Sequence, residues 1–136
     1  MILLLDTDIL LDIALDRAPH FEPAAELFDL LEKRPGMAFI AWHSISNFYY
    51  LVRPAKGGLE ARLFLLEMTR FIQVAPTTTA SLLYAAQLEM KDFEDALQVA
   101  AAAACEADVI VTRNLRDYGK ASIRAAEPRS VLGELA

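Results

Sequence analysis

Soft metal ligands are nearly absent. The 136 residues hold one cysteine, Cys105, and two histidines, His20 and His43. A lone cysteine excludes an intrachain disulfide and suits a reducing cytosol, so the chain is expected in the cytoplasm. Without a Cys/His cluster nothing argues for structural zinc. Cys105 lies in an alanine-rich stretch and reads as a small packed residue. Long apolar runs are lacking too, and none approaches the roughly 18–20 residues that span a bilayer. "MILLLDTDILLDIAL" begins as an apolar run, but Asp6, Asp8 and Asp12 interrupt it. It carries neither a basic leader nor a cleavage site, so no signal peptide is expected. Basic residues fall short as well: 13 Lys and Arg stand against 19 Asp and Glu, a net charge of −6. Proteins that bind nucleic acid by bulk phosphate neutralisation are basic. Here either the acids line solvated helix faces or they are concentrated where they hold metal. No linker, internal repeat or low-complexity boundary divides the chain, so a single domain over 1–136 is expected.

What is present is a 55% apolar composition, enough for a sizeable core. "ILLL" at 2–5 is an unbroken apolar run, as in a strand buried on both faces. A helix follows over 8–15, and 20–34 repeats apolar positions at helical spacing until "PG" ends it. "MAFIA" (37–41) reads as a second strand, and "SISNFYYLVR" (44–53) as a helix closed by "PAKGG". "GLEARLFLLEMTR" is a further helix, and "FIQVA" (71–75) a third strand stopped by Pro76. Helices are expected over 78–90, with threonine caps at hand, and over 92–107, with strong alanine propensity. "VIVT" is a fourth strand, "SIRAAE" (122–127) a fifth, and "PRSVLGELA" a terminal helix. Strands separated by helices imply right-handed crossovers. The expected fold is therefore a three-layer α/β/α domain with a mostly parallel sheet of four to five strands.

Sites in such sheets lie beyond the carboxyl ends of the strands. The first strand ends at Asp6, and the second leads to Ser44–Asn47. The helix at 92 opens with Asp92, Glu94 and Asp95, and the fourth strand ends in Thr112, Asn114 and Asp117. Parallel neighbouring strands would bring these residues to one edge. Carboxylates gathered in one cleft need protons or cations to coexist, and an oxygen-only ligand set suits a hard cation such as Mg²⁺ or Mn²⁺. Each residue also has a plain structural role open to it. Asp6 and Asp92 are potential helix caps, and Asn114 with Asp117 a polar turn.

Four segments, "LLLDTDILLD", "SISNFYYLV", "DFEDALQVAAA" and "ADVIVTRNLRDY", occur in the order and spacing of PIN-domain proteins. The chain resembles that family, to which many toxin endoribonucleases of bacterial toxin–antitoxin pairs belong. The likeness runs from residue 2 to about 118. It implies that Asp6 matches the first metal-binding aspartate and Asp95 the acid opening the helix before the fourth strand. It also implies that Asp117 matches a late acid that helps bind metal, and Thr112 a hydroxyl residue at the strand end. Asn47 falls where the family usually has glutamate, and Asn114 where it often has aspartate. An amide oxygen can coordinate a cation or hold a water, but it takes no proton as a carboxylate does.

The expected activity is metal-dependent hydrolysis of RNA phosphodiester bonds, with Asp6, Asp95 and Asp117 as ligands. Asn47, Asn114 and Thr112 would position water or a phosphate oxygen. Arg113, Arg116, Lys120 and Arg124 stand close in sequence, and Arg113 and Arg116 in particular are candidates to guide the backbone of a single-stranded substrate. Tyr49, Tyr50 and Tyr118 are the aromatic candidates for base stacking, the first two competing with helix packing. The resemblance further implies an antitoxin partner and a homodimer, with "GLEARLFLLEMTR" as a stretch that could face a partner. Two other readings stand beside this one. "DTD" at 6–8 superficially matches the nucleophile motif of haloacid-dehalogenase-type phosphatases, although no later lysine after a strand supports it. The amides at 47 and 114 motivate a PIN-like module that binds RNA or protein without cutting.

Overall fold

The computed structural model describes residues 1–136. Five strands form one parallel sheet: β1 (Leu3–Leu5), β2 (Ala38–Ile40), β3 (Ile72–Val74), β4 (Val109–Val111) and β5 (Arg124–Ala126), in the order β3-β2-β1-β4-β5. The central strand pairs Leu5 with Ile40 on one side and with Val111 on the other. Seven α-helices cover the sheet: α1 (Thr7–Ala14), α2 (Phe21–Lys33), α3 (Trp42–Lys56), α4 (Gly58–Met68), α5 (Thr79–Gln87), α6 (Phe93–Ala104) and α7 (Pro128–Leu135). No helix is long and apolar enough to cross a membrane.

β1 explains why "ILLL" contains no polar residue. Leu3 and Leu5 enter the larger core with Ile9, Leu27, Phe48 and Val111. Leu4 points to the opposite face, among Val99, Ala101, Ile110 and Tyr118. Successive strand side chains alternate faces, so a strand covered by helices on both sides must be apolar throughout.

Helix boundaries depart from the sequence expectation by up to three residues, α6 for example ending at Ala104 rather than 107, and three departures bear on the site. α3 begins at Trp42 and runs through Pro54 to Lys56. A proline so near the helix end removes a single ladder bond, and the helix stops instead at Gly57, whose φ of +88° favours glycine. α5 ends at Gln87 rather than Met90, because the chain must extend before Asp92 can cap α6. Residues Leu115–Tyr118, expected as a polar turn, form one 3-10 turn that drives Tyr118 inward.

The capping reading of Asp92 holds: its Oδ1 accepts from the Asp95 N–H at 3.1 Å. Asp92→Ala is expected to cost about 1 kcal/mol, measured as a lower urea midpoint at unchanged slope. The same cap fixes the first turn of α6, and with it the approach of Asp95 to the carboxyl edge of the sheet.

Candidate active site

Asp6 follows β1 directly and serves as N-cap of α1, its Oδ1 accepting from the Thr7 N–H at 2.7 Å. That oxygen also receives Gln98 Nε2 of α6 at 3.3 Å. The Oδ2 atom receives the hydroxyls of Thr112 and Tyr118, each at 2.9 Å. A carboxylate offers about four lone-pair directions, so Asp6 is fully subscribed by its own chain. Behind it, Thr7 Oγ1 donates to Ser44 Oγ at 2.8 Å, and Gln98 Nε2 donates to the same oxygen at 2.9 Å. Ser44, Gln98 and Thr112 are wholly buried. This network locks α1, α3, α6 and the end of β4 around one carboxylate.

Asp8 stands one turn into the crevice. Its Oδ2 accepts from the Arg113 N–H at 2.9 Å and from Asn114 Nδ2 at 3.2 Å. Its Oδ1 is buried with no hydrogen-bond partner. Burial, then the charge of Asp6, raises the Asp8 pKa to about 6 against the pull of Arg113. Asp95 is raised further, to about 7, by burial and then by Asp92, Asp117, Asp6 and Glu94. Glu94 is also raised, by burial and the charges of Asp92 and Asp6, with the Asn47 hydrogen bond opposing. These acids therefore feel one another across a shared crevice.

The crevice has two lobes. One, of about 410 Å³, is lined by Asp6, Asp8, Asn47, Tyr50, Glu94 and Asn114 among others. The other, of about 360 Å³, is lined by Asp92, Asp95, Arg116, Asp117 and Lys120 with the 89–91 segment. Asn47 donates from Nδ2 to Glu94 Oε1 at 2.9 Å. Each of the two amides thus bonds to a carboxylate, Asn47 to Glu94 and Asn114 to Asp8, and the negative charge missing at positions 47 and 114 is supplied by a neighbour.

The sequence-predicted residues meet at the edge in different ways. Asp6, Asn47 and Asn114 share the first lobe, while Asp95, Asp117 and Arg116 share the second. Thr112 spends its hydroxyl on Asp6 and accepts the Asn114 N–H at 3.0 Å. Arg113 does not offer a free guanidinium: its Nε and Nη2 donate to the two oxygens of buried Asp12 at 2.6 and 3.1 Å. Tyr118 is buried with its hydroxyl on Asp6, so it presents no face for base stacking. Arg124 pairs with Glu134 at 2.6 Å, away from the crevice. Gln98 enters no site expectation, Glu94 stands among the acids at the sheet edge without a role, and Asp8 figures only within the "DTD" of the phosphatase reading. The signal available for Asp8 and Glu94 was their position two residues from Asp6 and one residue before Asp95.

The donor set fits a hard divalent cation in chemistry. It is all oxygen, three of its carboxyls are raised by crowding and burial, and one buried oxygen of Asp8 has no partner. No three acids or imidazoles are yet drawn into a single cage. Asp6 would have to release a donor to ligate, and Gln98, the longest of its four bonds, is the one that yields most cheaply.

The raised carboxyls set a pH dependence with a definite sign. Each binds its proton more tightly in the folded chain than in the unfolded one. Their contribution favours folding at low pH and is lost as pH rises from about 4 through the folded values near 6 and 7. Half-buried His43, lowered by burial against the attraction of Asp6, works in the opposite sense. With three acids against one imidazole, the cation-free protein is expected to melt lower at pH 8 than at pH 5.5. Mn²⁺ should raise the melting temperature more at pH 8, because cation binding must displace protons at the lower pH. Scanning calorimetry at both values, with and without Mn²⁺, checks this.

Fold and crevice together define a parallel α/β domain with an acidic cleft at the carboxyl edge of its sheet. A family model described as PIN domain matches residues 3–116, and the chain belongs to the PIN-domain family. No curated protein matches the sequence. Among solved structures, the chain is similar to one in the crystal structure of VapBC2 from Rickettsia felis bound to a DNA fragment from their promoter. The two are 18% identical with a TM-score of 0.70, over 93% of this chain and 98% of that one. It is also similar to a chain in DNA-bound VapBC from Salmonella typhimurium, at 16% identity and TM-score 0.69, over 94% of this chain and 98% of that one. At these identities the likeness is one of fold. The phosphatase alternative raised by "DTD" loses its support, since that tripeptide belongs to the PIN-domain match.

Proposed function

We propose that this chain is a divalent-cation-dependent endoribonuclease and the toxin of a toxin–antitoxin pair. The observation that carries the reading is the gathering of Asp6, Asp8 and Glu94 in one pocket and Asp95 and Asp117 in the next, at the carboxyl edge of the sheet, close enough for Asp6 and Glu94 to raise Asp95. Asp6, Asp95 and Asp117, with Asp8 and Glu94 beside them, would hold Mg²⁺ or Mn²⁺. Such an ion supplies an acidified water and neutralises charge on the phosphoryl oxygens. The chain's own residues do the rest. Asp95, crowded by Asp92, Asp117, Asp6 and Glu94, is a group that a cation would relieve of its proton and hold ionised. The amides of Asn47 and Asn114 can hold a water or a phosphate oxygen. Arg116 and Lys120, lining the lobe of Asp95 and Asp117, offer the backbone phosphates two positive charges that the net charge of −6 conceals. Arg113 acts indirectly in this reading, by fixing the loop through Asp12.

The reading favours catalysis over a binding-only module because Glu94 and Asp8 supply charge beside the two amides. The VapBC complexes to which the chain is similar support an antitoxin as partner. A homodimer and a cytoplasmic setting belong to the same proposal. The test is incubation of single-stranded RNA with purified protein and Mn²⁺. Internal cleavage that stops with EDTA and falls at least about a hundredfold in Asp95→Asn supports the proposal. Cleavage that survives both changes, or none in the wild type, overturns it.

A further inference from the structure

A second cavity, of about 160 Å³, opens between the start of α3, the start of α5 and the flank of α6. Its walls are mainly apolar, with Ala41, Leu82 and Leu97 among them, and Thr77 and Ser81 line it as well, Ser81 Oγ accepting the Thr78 N–H at 3.1 Å. Two lining residues stand out. Trp42, the only tryptophan, is 68% exposed at the first position of α3, where an apolar ring of that size gains nothing for the core. His43 beside it has a buried Nε2 atom with no hydrogen-bond partner. A buried polar atom is normally satisfied, so an unpartnered one in a side chain that lines a cavity is available to a ligand once the ring turns toward it.

We propose that this cavity is a subsite for one unpaired base of an RNA strand, with Trp42 as the stacking face and His43 Nε2 and the Thr77 and Ser81 hydroxyls reading the base edge. The proposal rests on the nuclease reading and extends it to the flanking nucleotide. No residue lines both sites, but their walls are joined through neighbouring side chains. Ser44, next to His43, accepts from Gln98, which also bonds Asp6. Leu97, next to Gln98, lines the cavity. The charge of Asp6 also reaches His43. A strand whose phosphate lies at the acidic crevice therefore has a neighbouring base within reach of the cavity. An apolar slot with an aromatic face and few polar groups is the form in which proteins hold splayed single-stranded bases. Burial keeps the His43 imidazole neutral near pH 7, with one nitrogen as donor and one as acceptor, the complement of a base edge.

The sole tryptophan makes the test direct. Wild-type protein in EDTA is titrated with a single-stranded RNA hexamer and with the same hexamer lacking its bases, and Trp42 fluorescence is followed. Binding of an end-labelled hexamer to Trp42→Ala and His43→Leu is followed by anisotropy. The base-bearing hexamer should quench Trp42. The abasic one should bind about tenfold more weakly or worse, and Trp42→Ala should lose about tenfold in affinity, as for one stacked base. Trp42 is exposed, so that variant keeps the fold. His43→Leu should alter the ranking among oligo-A, oligo-C, oligo-G and oligo-U, which a change in packing alone would not. Equal affinity for the two hexamers, no binding of either, or unchanged affinity in Trp42→Ala overturns the subsite. A wild type that quenches with bases yet never cuts RNA with Mn²⁺ overturns the nuclease reading and keeps the subsite. Cleavage with an unchanged KM in Trp42→Ala does the reverse.

Discussion

Arg113→Met is expected to lower stability by about 3 kcal/mol, a large share of the roughly 5–15 kcal/mol that holds a domain of this size together. Asp12 is completely buried, and both of its oxygens accept from the Arg113 guanidinium. The only other cation near it, Arg17, stands at 4.0 Å. Removing Arg113 leaves a buried carboxylate with little compensation, the costly half of a broken ion pair. Asp12→Leu should cost less, about 2 kcal/mol, since the Arg113 side chain, 26% exposed, can swing its charge into water. The double change Asp12→Leu with Arg113→Met should recover most of the loss, because apolar replacement of a whole buried pair is close to neutral. Urea midpoints for the three proteins decide the matter, and additive losses in the double variant would show that the two side chains do not act as a pair. The consequence for function is positional. The Arg113 N–H and the Asn114 side chain both hold Asp8, so a loosened 113–114 segment should also weaken cation binding.

Tyr118→Phe is expected to tighten Mn²⁺ binding about tenfold while costing about 1.5 kcal/mol of stability. The Tyr118 hydroxyl donates to Asp6 Oδ2, where it competes for a lone pair that a cation would use. A hydrogen bond to a charged group contributes about 1.5–3 kcal/mol, and a ligand that must displace it forgoes a similar amount. Phenylalanine keeps the ring in the pocket beside Leu4, Val99 and Ile110 and frees the oxygen. Calorimetric titration of both proteins with Mn²⁺ reads the difference. Weaker binding in the variant would mean that the hydroxyl serves the site by orienting Asp6 and not by occupying it.

Much of this architecture is written in local pattern. Asp6 at the end of "ILLL", the alanine helix opened by Asp92, and "VIVT" ending at Thr112 each sit where strand and helix periodicity put them. The parallel order of the sheet then brings their carboxyl ends together. The pairings that decide what each group does are another matter. Arg113 meets Asp12 across 101 positions, Tyr118 meets Asp6 across 112, and Gln98 meets Ser44 across 54. No local spacing encodes such contacts. Arg113 looked like a cation free for RNA because its partner lies on α1. Tyr118 looked exposed because a polar segment surrounds it, yet one 3-10 turn carries it inside. Gln98 was hidden in an apolar helix as one polar residue among alanines, and burial gives it its function as a clasp on Asp6. Trp42 falls at the first turn of a helix that the pattern placed two residues later, so its exposure beside the cleft could not be read.

The central claim, that the acids at the carboxyl edge form a divalent-cation site built on Asp6, is tested most directly by calorimetric titration of Mn²⁺ into the wild type and Asp6→Asn. Circular dichroism on both proteins establishes that the fold is kept. Saturable binding is expected in the wild type, with protons released below pH 7, and loss of that binding in a folded Asp6→Asn. Equal binding by the two proteins, or none by the wild type at any pH between 6 and 8, would contradict it.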